Sequence, residues 1–130
     1  MAVSYIPTVD GLGKYGDYSP VSVANNLVAV AGQFGGDADS PEEQVRGAFG
    51  NVGKALAAAG LDFCDVIKFT TYVVGRETIP AFMAIRKEVF KKIYSAGVYP
   101  PNTLLVVAGL VEERFVVEIE ALACARNGFL

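Results

Sequence analysis

Near the end of the sequence stands the apolar run Phe115-Val116-Val117-Glu118-Ile119-Glu120-Ala121-Leu122-Ala123, which has the composition of a β-strand and carries two carboxylates. A second apolar run, Pro100-Pro101-Asn102-Thr103-Leu104-Leu105-Val106-Val107, precedes it behind a pair of prolines. Side chains alternate between the two faces of a strand, so Glu118 and Glu120 share one face and the apolar residues between and beside them share the other. A carboxylate inside an apolar strand is costly unless it is paired or hydrogen-bonded. These two runs are therefore the first place to expect a functional site.

The composition predicts one domain with an unusually apolar surface or core. The chain has 130 residues, which suits a single domain over residues 1–130. Hydrophobic residues make up 52% of the sequence and charged residues only 19%, against about 25% charged in a typical soluble domain. The excess is either additional core or an apolar surface buried in an oligomer. We favour the oligomer, because a large apolar patch left open on a monomer promotes aggregation.

The charge pattern limits the partners. The formal net charge is −3, and the Lys and Arg residues are scattered without a dense basic run, so we do not expect nucleic acid as a partner. No apolar run reaches the ~18 residues that a membrane-spanning helix needs. The first seven residues lack the basic start and the long apolar stretch of a signal peptide. We therefore expect a cytoplasmic protein without a membrane partner.

The sequence contains no histidine, which excludes the Ser-His-Asp triad, the Cys-His pair and every histidine-based zinc site. The two cysteines, Cys64 and Cys124, match no metal-ligand spacing, and we predict two buried, reduced thiols. We therefore expect no metal site. Acid–base chemistry must come from Glu, Asp, Tyr, Lys, Cys or bound water.

Strand and helix patterns in the first half of the chain predict a hairpin followed by a helix. Three strands are predicted, at residues 3–6, 21–24 and 27–31, with a tight turn at Asn25-Asn26 and an end to the third strand at Gly32-Gln33. Ser40-Pro41-Glu42-Glu43 predicts a helix start, with Ser40 as N-cap and Glu43 completing a capping box. The helix should end at Gly60. Three glycines within it lower its intrinsic helicity, which indicates that a close helix–sheet approach holds it in place.

The second half predicts a strand, a helix and two further strands. Val66–Val74 is rich in β-branched and aromatic residues, and a helix capped by Thr78 should run to about Tyr94. Strands are predicted at about 103–108 and 114–124. The order β-β-β-α-β-α-β-β favours one mixed sheet with both helices on one side and the other face free for oligomerisation. We expect a solvated basic face on the second helix, formed by Arg86, Lys87, Lys91 and Lys92.

Several short motifs, taken in their order and spacing, resemble the Rid family (reactive intermediate deaminases, also called YjgF or L-PSP). The resemblance covers nearly the whole chain and is specific as a set, although no single motif is decisive. The motifs are Tyr18-Ser19-Pro20, Val30-Ala31-Gly32-Gln33, Glu43-Gln44-Val45-Arg46, Asn51-Val52, Leu56-Ala57-Ala58-Ala59-Gly60, residues 65–73, Pro100-Pro101 and Val117-Glu118-Ile119-Glu120-Ala121-Leu122-Ala123.

This resemblance implies a chorismate-mutase-like α+β fold and a homotrimer whose sheets line a central barrel, with three clefts between subunits. Members of the best-known group hydrolyse reactive enamines and imines to ketones and ammonia without a metal or organic cofactor. The resemblance therefore implies a small-molecule substrate and no cofactor, which suits a chain without histidine.

In the active members an arginine that follows the proline-flanked turn binds the substrate carboxylate, and bidentate Arg–carboxylate pairing explains that choice. The matching position here is Asn102. An asparagine is neutral, so it either recognises a neutral or weakly polar substrate or marks a cleft no longer used for deamination. Arg46, Arg114 or Arg126 are the candidates for supplying the missing charge from elsewhere.

The remaining site residues carry over from the resemblance. Glu118 matches the glutamate that positions the attacking water, which makes it the catalytic candidate. Tyr18 matches a tyrosine near the cleft mouth, and Gly32 matches a glycine whose backbone lines the pocket. Leu104 matches the position whose backbone amide contacts the substrate, and Thr103 could add a hydroxyl contact. For Glu120 a solvated face or a subunit contact is the simpler interpretation.

The leading functional hypothesis is a cofactor-free hydrolase, deaminase-like, that acts on an enamine, an imine or a related small metabolite, with a substrate choice altered by Asn102. The alternative is a non-catalytic trimeric protein that binds a small molecule or a partner protein. An endoribonuclease role ranks last, because the chain is acidic and has no basic stripe.

Overall fold

A computed structural model describes residues 2–125 and shows six strands and two helices in the predicted order. Short 3-10 turns at Phe63–Asp65 and Arg76–Thr78 precede the fourth strand and the second helix. The elements are β1 (Ser4–Ile6), β2 (Val21–Ala24), β3 (Leu27–Gln33), α1 (Pro41–Ala58), β4 (Val66–Val74), α2 (Ile79–Ile93), β5 (Asn102–Val107) and β6 (Val117–Cys124). No helix within the described part of the chain is both long and apolar enough to cross a bilayer.

The six strands form one mixed sheet in the order β1-β2-β3-β6-β4-β5. β4 and β5 are parallel, because α2 carries the chain back across the sheet, and the other pairs are antiparallel. Both helices pack on one face, and the core lies between them and the sheet. The predicted mixed sheet with two helices on one side is thus confirmed. The largest fully buried side chains of the protein include Phe49, Leu56, Phe69, Phe82, Phe115 and Ile119.

Local sequence signals account for the hairpin and for the start of α1. Asn25 adopts a left-handed φ of 56°, which lets β2 turn directly into β3. Ser40 caps α1, its side chain accepting a hydrogen bond from the Glu43 backbone N–H at 3.1 Å. The predicted reciprocal half of the capping box is not formed within the described residues, because the Glu43 carboxylate contacts Arg46 instead.

One predicted strand end needs a small correction, and one predicted cap was wrong. β3 ends at Gly32-Gln33 as predicted, but both residues belong to the strand, and the pairing with β6 shifts register there. Thr78 stands at the N-cap of α2, but its hydroxyl donates to the Val74 carbonyl oxygen at 2.6 Å and makes no capping bond. The prediction of two buried thiols was also wrong for Cys64, which is exposed.

A backbone contact between α1 and the segment after β3 explains why this helix contains glycine. A Cβ atom placed on Gly47 would lie 2.7 Å from the carbonyl oxygen of Gly35 and 2.8 Å from its Cα. A Cβ on Gly35 would lie 2.2 Å from the Gln44 carbonyl oxygen. Only glycine allows two backbones to approach this closely. The predicted close approach of this helix is therefore present, against the segment that leaves β3.

Candidate functional site

The carboxylate of Glu118 lies in a pocket of about 360 Å³ beside the loop that precedes β2. We call this the Glu118 pocket. It brings together three of the predicted site residues, Tyr18, Gly32 and Glu118, from the N-terminal loop, β3 and β6. The complete lining is Tyr15, Tyr18, Ser19, Ala31, Gly32, Phe34, Val111 and Glu118.

Gly32 provides the space that the Glu118 side chain occupies. A Cβ atom on Gly32 would lie 1.8 Å from Oε2 of Glu118 and 2.7 Å from its Cγ. The irregular register between Val30 and Gln33 brings this part of β3 against β6. The glycine therefore fixes where the carboxylate stands, in addition to offering its backbone to the pocket.

Two aromatic rings, Tyr15 and Phe34, line the pocket beside Glu118, and the buried ring of Phe115 packs behind them. The rings of Phe34 and Phe115 stack with centroids 4.5 Å apart, and Tyr15 meets both edge-on at 5.1 and 5.4 Å. The backbone N–H of Tyr15 donates to the hydroxyl of Tyr18 at 3.3 Å, and this bond links two residues of the loop that precedes β2. Such contacts give one side of the pocket a closely packed apolar wall. Sequence reasoning did not assign Phe34 or Val111 to the site.

Two polar side chains of α1 hold the segments that carry this wall. Gln44 donates to the Arg114 carbonyl oxygen at 2.9 Å and accepts from the Val116 N–H at 2.9 Å, so it fixes the entry to β6. Asn51 donates to the Phe34 carbonyl oxygen at 2.7 Å. The motif residues of this helix therefore support the pocket by satisfying backbone groups around it.

Glu118 and Glu120 share the open face of the sheet, as the strand period predicts. Burial raises the pKa of Glu118 above its ordinary value, and the neighbouring charge of Glu120 raises it further. No hydrogen bond from the rest of residues 2–125 offsets this rise. Glu120 accepts a hydrogen bond from the Tyr72 hydroxyl, and this bond raises the pKa of Tyr72 to about 12. Of the two carboxylates, Glu118 is the one that a ligand in the pocket would meet.

Asn102 lies in a different pocket, of about 420 Å³, between α2 and the turn before β5. We call this the Arg86 pocket. Its lining is Met83, Arg86, Lys87, Phe90, Tyr99, Pro100 and Asn102. Arg86 is partly buried and donates from Nη1 to Oδ1 of Asn102 at 2.9 Å, so the expectation that it belongs to a solvated face was wrong. The three lysines of that face, Lys87, Lys91 and Lys92, are exposed as predicted.

The two pockets open on opposite faces of the sheet. Asn102 pairs with Phe69 of β4, and Glu118 pairs with Tyr72 of the same strand. Phe69 and Tyr72 are three residues apart, so their side chains point to opposite faces, and so do those of their partners. Asn102 therefore faces the helices while Glu118 faces away from them. One protomer cannot join these residues in a single cavity.

The other predicted residues of β5 line neither pocket. Thr103 is exposed on the open face, and its carbonyl oxygen accepts a bond from the Asn102 amide at 3.2 Å. Leu104 is half-buried and packs against the core. The contact predicted between the Leu104 backbone amide and the substrate stays a prediction.

Of the three arginines considered as replacements for the missing charge, two already contact carboxylates and the third lies outside the described residues. Arg46 contacts Glu43 and pairs with Glu88 at 2.8 Å. Arg114 contacts Asp37 and pairs with Glu112 at 2.9 Å. Arg126 lies outside the described residues. Arg86 was missed because it stands directly before Lys87 and shares a charged stretch of this amphipathic helix with Lys91 and Lys92, which is the pattern of a solvent-facing residue.

Comparisons of sequence identify the family. Residues 9–125 match the family described as Endoribonuclease L-PSP. Over 125 residues the chain is 30% identical to the human protein named 2-iminobutanoate/2-iminopropanoate deaminase, covering 91% of this chain and 87% of the human one. It is 34% identical over 110 residues to the RutC family protein YjgH of Escherichia coli K12, covering 80% of this chain and 81% of YjgH.

Comparisons of structure agree. The fold matches that of Escherichia coli TdcF with bound serine with a TM-score of 0.82 at 26% identity, covering 93% of this chain and 98% of TdcF. It matches the Escherichia coli YjgF gene product with a TM-score of 0.83 at 25% identity, covering 95% and 99%. The predicted chorismate-mutase-like α+β fold is confirmed by these similarities. The chain therefore belongs to the Rid family, also called YjgF or L-PSP.

Proposed function

We propose that this protein is a cofactor-free hydrolase that converts small 2-imino acids, or the enamines from which they form, to 2-oxo acids and ammonia. The observation that carries the proposal is the half-buried carboxylate of Glu118, with its raised pKa, in an aromatic-walled pocket. Two deaminase-named relatives, from human and goat, are each 30% identical to this chain and support the same chemistry.

The reaction needs one group that can both take and give a proton. The substrate reacts as its protonated iminium form. As the oxygen of water bonds to the iminium carbon and the C=N π electrons move to nitrogen, the water gives a proton to the Glu118 carboxylate. Glu118 then returns this proton to the nitrogen of the carbinolamine. The C–N bond breaks, ammonia leaves with the bonding electrons, and the hydroxyl proton passes to the freed carboxylate and on to solvent as C=O forms. A carboxyl with a raised pKa is suited to both steps near neutral pH. Positioning supplies the remaining acceleration, because imine hydrolysis is intrinsically easy.

The proposed site lies between subunits of a homotrimer. The Glu118 pocket of one protomer would meet the Arg86 pocket of its neighbour, which reconciles two sets of predicted residues that a single sheet holds on opposite faces. Tyr18 and Gly32 would then act in one protomer and Asn102 in the next, with Thr103 and Leu104 following Asn102 on β5 outside the two pockets. The apolar composition and the exposed leucines on the open face of the sheet support association.

An ammonia-release assay tests the proposal. 2-Iminopropanoate and bulkier imino acids are generated in situ, and ammonia is followed with and without the protein. We expect acceleration that Glu118→Gln lowers by at least about 100-fold. Glu42→Gln, which removes an exposed carboxylate on α1, is the matched control and should keep full activity.

If no substrate of a broad panel is accelerated and Glu118→Gln changes nothing, the enzyme proposal is wrong. The alternative, a non-catalytic trimer that binds a small molecule or a protein, would then stand. The description of the family as an endoribonuclease carries little weight for this chain, whose net charge of −3 does not favour binding of RNA.

A further inference from the structure

Arg86 is a partly buried cation without an anionic partner. Nη1 donates to Asn102 Oδ1 at 2.9 Å, and Nη2 lies 3.0 Å from the Met83 sulfur. The guanidinium carbon stands 5.1 Å from the centre of the Phe82 ring. Every one of these neighbours is neutral, and within residues 2–125 no carboxylate forms an ion pair with Arg86. Burial accordingly lowers the pKa of this guanidinium.

The contrast with other arginines shows that this arrangement is not general in the chain. Arg46 and Arg114 are more exposed and each contacts two carboxylates. A partly buried cation that has no counter-charge recovers only part of the solvation it loses, even with neutral hydrogen-bond acceptors and an aromatic ring beside it. An anion that entered the pocket would supply that counter-charge and would use the remaining N–H donors of Arg86.

Asn102 is fully engaged in holding Arg86. Its Oδ1 accepts from Arg86, and its Nδ2 has three acceptors within reach: the Thr71 hydroxyl at 3.1 Å, the Thr103 carbonyl oxygen at 3.2 Å and the Phe69 carbonyl oxygen at 3.3 Å. An amide nitrogen has only two hydrogens to donate. The side chain therefore has no free donor for a ligand. Asn102 is a positioning residue that connects the guanidinium to β4 and β5.

The rest of the Arg86 pocket suits a small organic anion. Phe90, Tyr99 and Pro100 form an apolar wall, and Lys87 places a second positive charge at the lining. A planar guanidinium binds a carboxylate with two parallel hydrogen bonds, which a neutral amide cannot reproduce.

We propose that Arg86, positioned by Asn102, binds the carboxylate of the substrate. The inference rests on the proposed function for the identity of that substrate. The absence of arginine at position 102 is then a relocation of the cation from β5 to the facing helix, and the substrate is a 2-imino acid rather than a neutral imine.

Equilibrium binding of a stable product analogue tests the inference without turnover. The probes are 2-oxobutanoate and its neutral counterpart 2-oxobutanamide, measured by calorimetry or by NMR titration. We expect the wild-type protein to prefer the acid, and Arg86→Gln to weaken acid binding by about 10- to 100-fold while leaving the amide unchanged. Lys91→Gln, which removes an exposed charge from the same helix outside the pocket, should leave both unchanged.

Two further variants separate positioning from a structural role. Arg86→Lys keeps the positive charge but cannot donate two parallel hydrogen bonds to a carboxylate, so it should bind the acid with intermediate affinity. The exchange variant Arg86→Asn/Asn102→Arg restores one guanidinium beside one amide, and should regain preference for the acid that Arg86→Asn alone has lost. If the contact between Arg86 and Asn102 only stabilised the fold, the exchange variant would not regain its preference for the acid over the amide.

The inference is overturned if the wild-type protein binds acid and amide equally, if it binds neither at millimolar concentration, or if Arg86→Gln and Lys91→Gln behave alike. Its failure is distinguishable from failure of the proposed function. Acid-selective binding without ammonia release would leave the anion site standing and refute the deaminase proposal. Ammonia release from imino acids that Arg86→Gln does not alter would refute only the anion site.

Discussion

At the scale of single residues, the position of one carboxylate depends on one glycine. Glu118 occupies space that a Cβ on Gly32 would fill. Because the clash involves a side chain and not a backbone, the substitution should displace the carboxylate more than it unfolds the protein.

We therefore predict that Gly32→Ala lowers catalytic efficiency by about 10- to 100-fold, since displacement of about 1 Å has effects of that size. The free energy of unfolding should fall by only about 1–2 kcal/mol. Gly109→Ala is the control, because a Cβ there meets no atom within 4 Å. Ammonia-release kinetics and urea unfolding measure the two effects; full activity of Gly32→Ala would contradict the geometry.

Protonation of Glu118 gives a second prediction at this scale. Its pKa is raised in the folded protein, so the folded state holds this proton more tightly than the unfolded state does. Its contribution to stability is therefore largest at low pH and is lost as the pH rises from about 4.3 through the raised value. Glu118→Gln should thus gain stability relative to wild type over this range and keep the gain at neutral pH.

Urea unfolding at a series of pH values and at fixed protein concentration measures this difference. Glu42→Gln, which removes an exposed carboxylate outside the pocket, is the control for the loss of one negative charge. A Glu118→Gln curve that stays parallel to wild type across the acidic range would show that the pKa is not raised.

Sequence reasoning named some residues of the candidate site and missed others for identifiable reasons. A carboxylate within an apolar strand is unusual, which drew attention to both Glu118 and Glu120, and the resemblance to the family singled out Glu118. Arg86 was missed because its partner, Asn102, is brought to it only by the packing of α2 against β5. The opposite orientation of Asn102 and Glu118 also depended on the register of both with β4, which no local pattern encodes.

At the scale of elements, α1 contains glycines that serve different purposes. A Cβ on Gly47 would meet the backbone of Gly35 at 2.7 Å, whereas a Cβ on Gly50 would meet nothing within 4 Å. Both positions lie within the same helix, so the same substitution separates packing from intrinsic helix propensity.

Gly47→Ala should destabilise the protein by about 1–3 kcal/mol, because two backbones must move apart. Gly50→Ala should stabilise it by about 0.5–1 kcal/mol, because alanine loses less conformational entropy in a helix. Thermal or urea unfolding checks both signs. Equal effects of the two substitutions would contradict the contact between α1 and the segment after β3.

Element existence followed from sequence more readily than element ends. The Ser40 cap and the Asn25 turn are local, and both formed as predicted. β3 continued through Gly32 and Gln33 because pairing with β6 outweighed the usual tendency of glycine to end a strand. Thr78 makes no capping bond to α2 because its hydroxyl donates a hydrogen bond to the Val74 carbonyl oxygen instead.

At the scale of the whole molecule, the open face of the sheet carries exposed leucines on three strands: Leu27, Leu105 and Leu122, each at least 39% exposed. We propose that this face is buried between subunits. Leu122 lies across from Lys68 and on the same face as Glu120, so an added carboxylate there would leave two carboxylates to share one lysine away from water, and the association should fail.

Leu122→Glu should therefore dissociate the proposed trimer into monomers at micromolar concentration, as measured by light scattering coupled to size-exclusion chromatography. Ala57→Glu, which adds the same charge to the exposed side of α1, should remain trimeric. A monomeric wild-type protein, or a Leu122→Glu protein that stays trimeric, would contradict the assignment of this face.

Complementation between two inactive variants tests the proposed intersubunit site most directly. Glu118→Gln and Arg86→Gln damage different pockets, and each homotrimer should be nearly inactive. In trimers formed from an equal mixture of the two, one subunit boundary of every mixed trimer would pair two intact pockets. The account predicts recovery of about a quarter of wild-type ammonia release, since ~3/4 of random trimers are mixed and one in three of their sites is intact. Activity no greater than that of the two variants alone, in a preparation where mixed trimers are demonstrated, would contradict it.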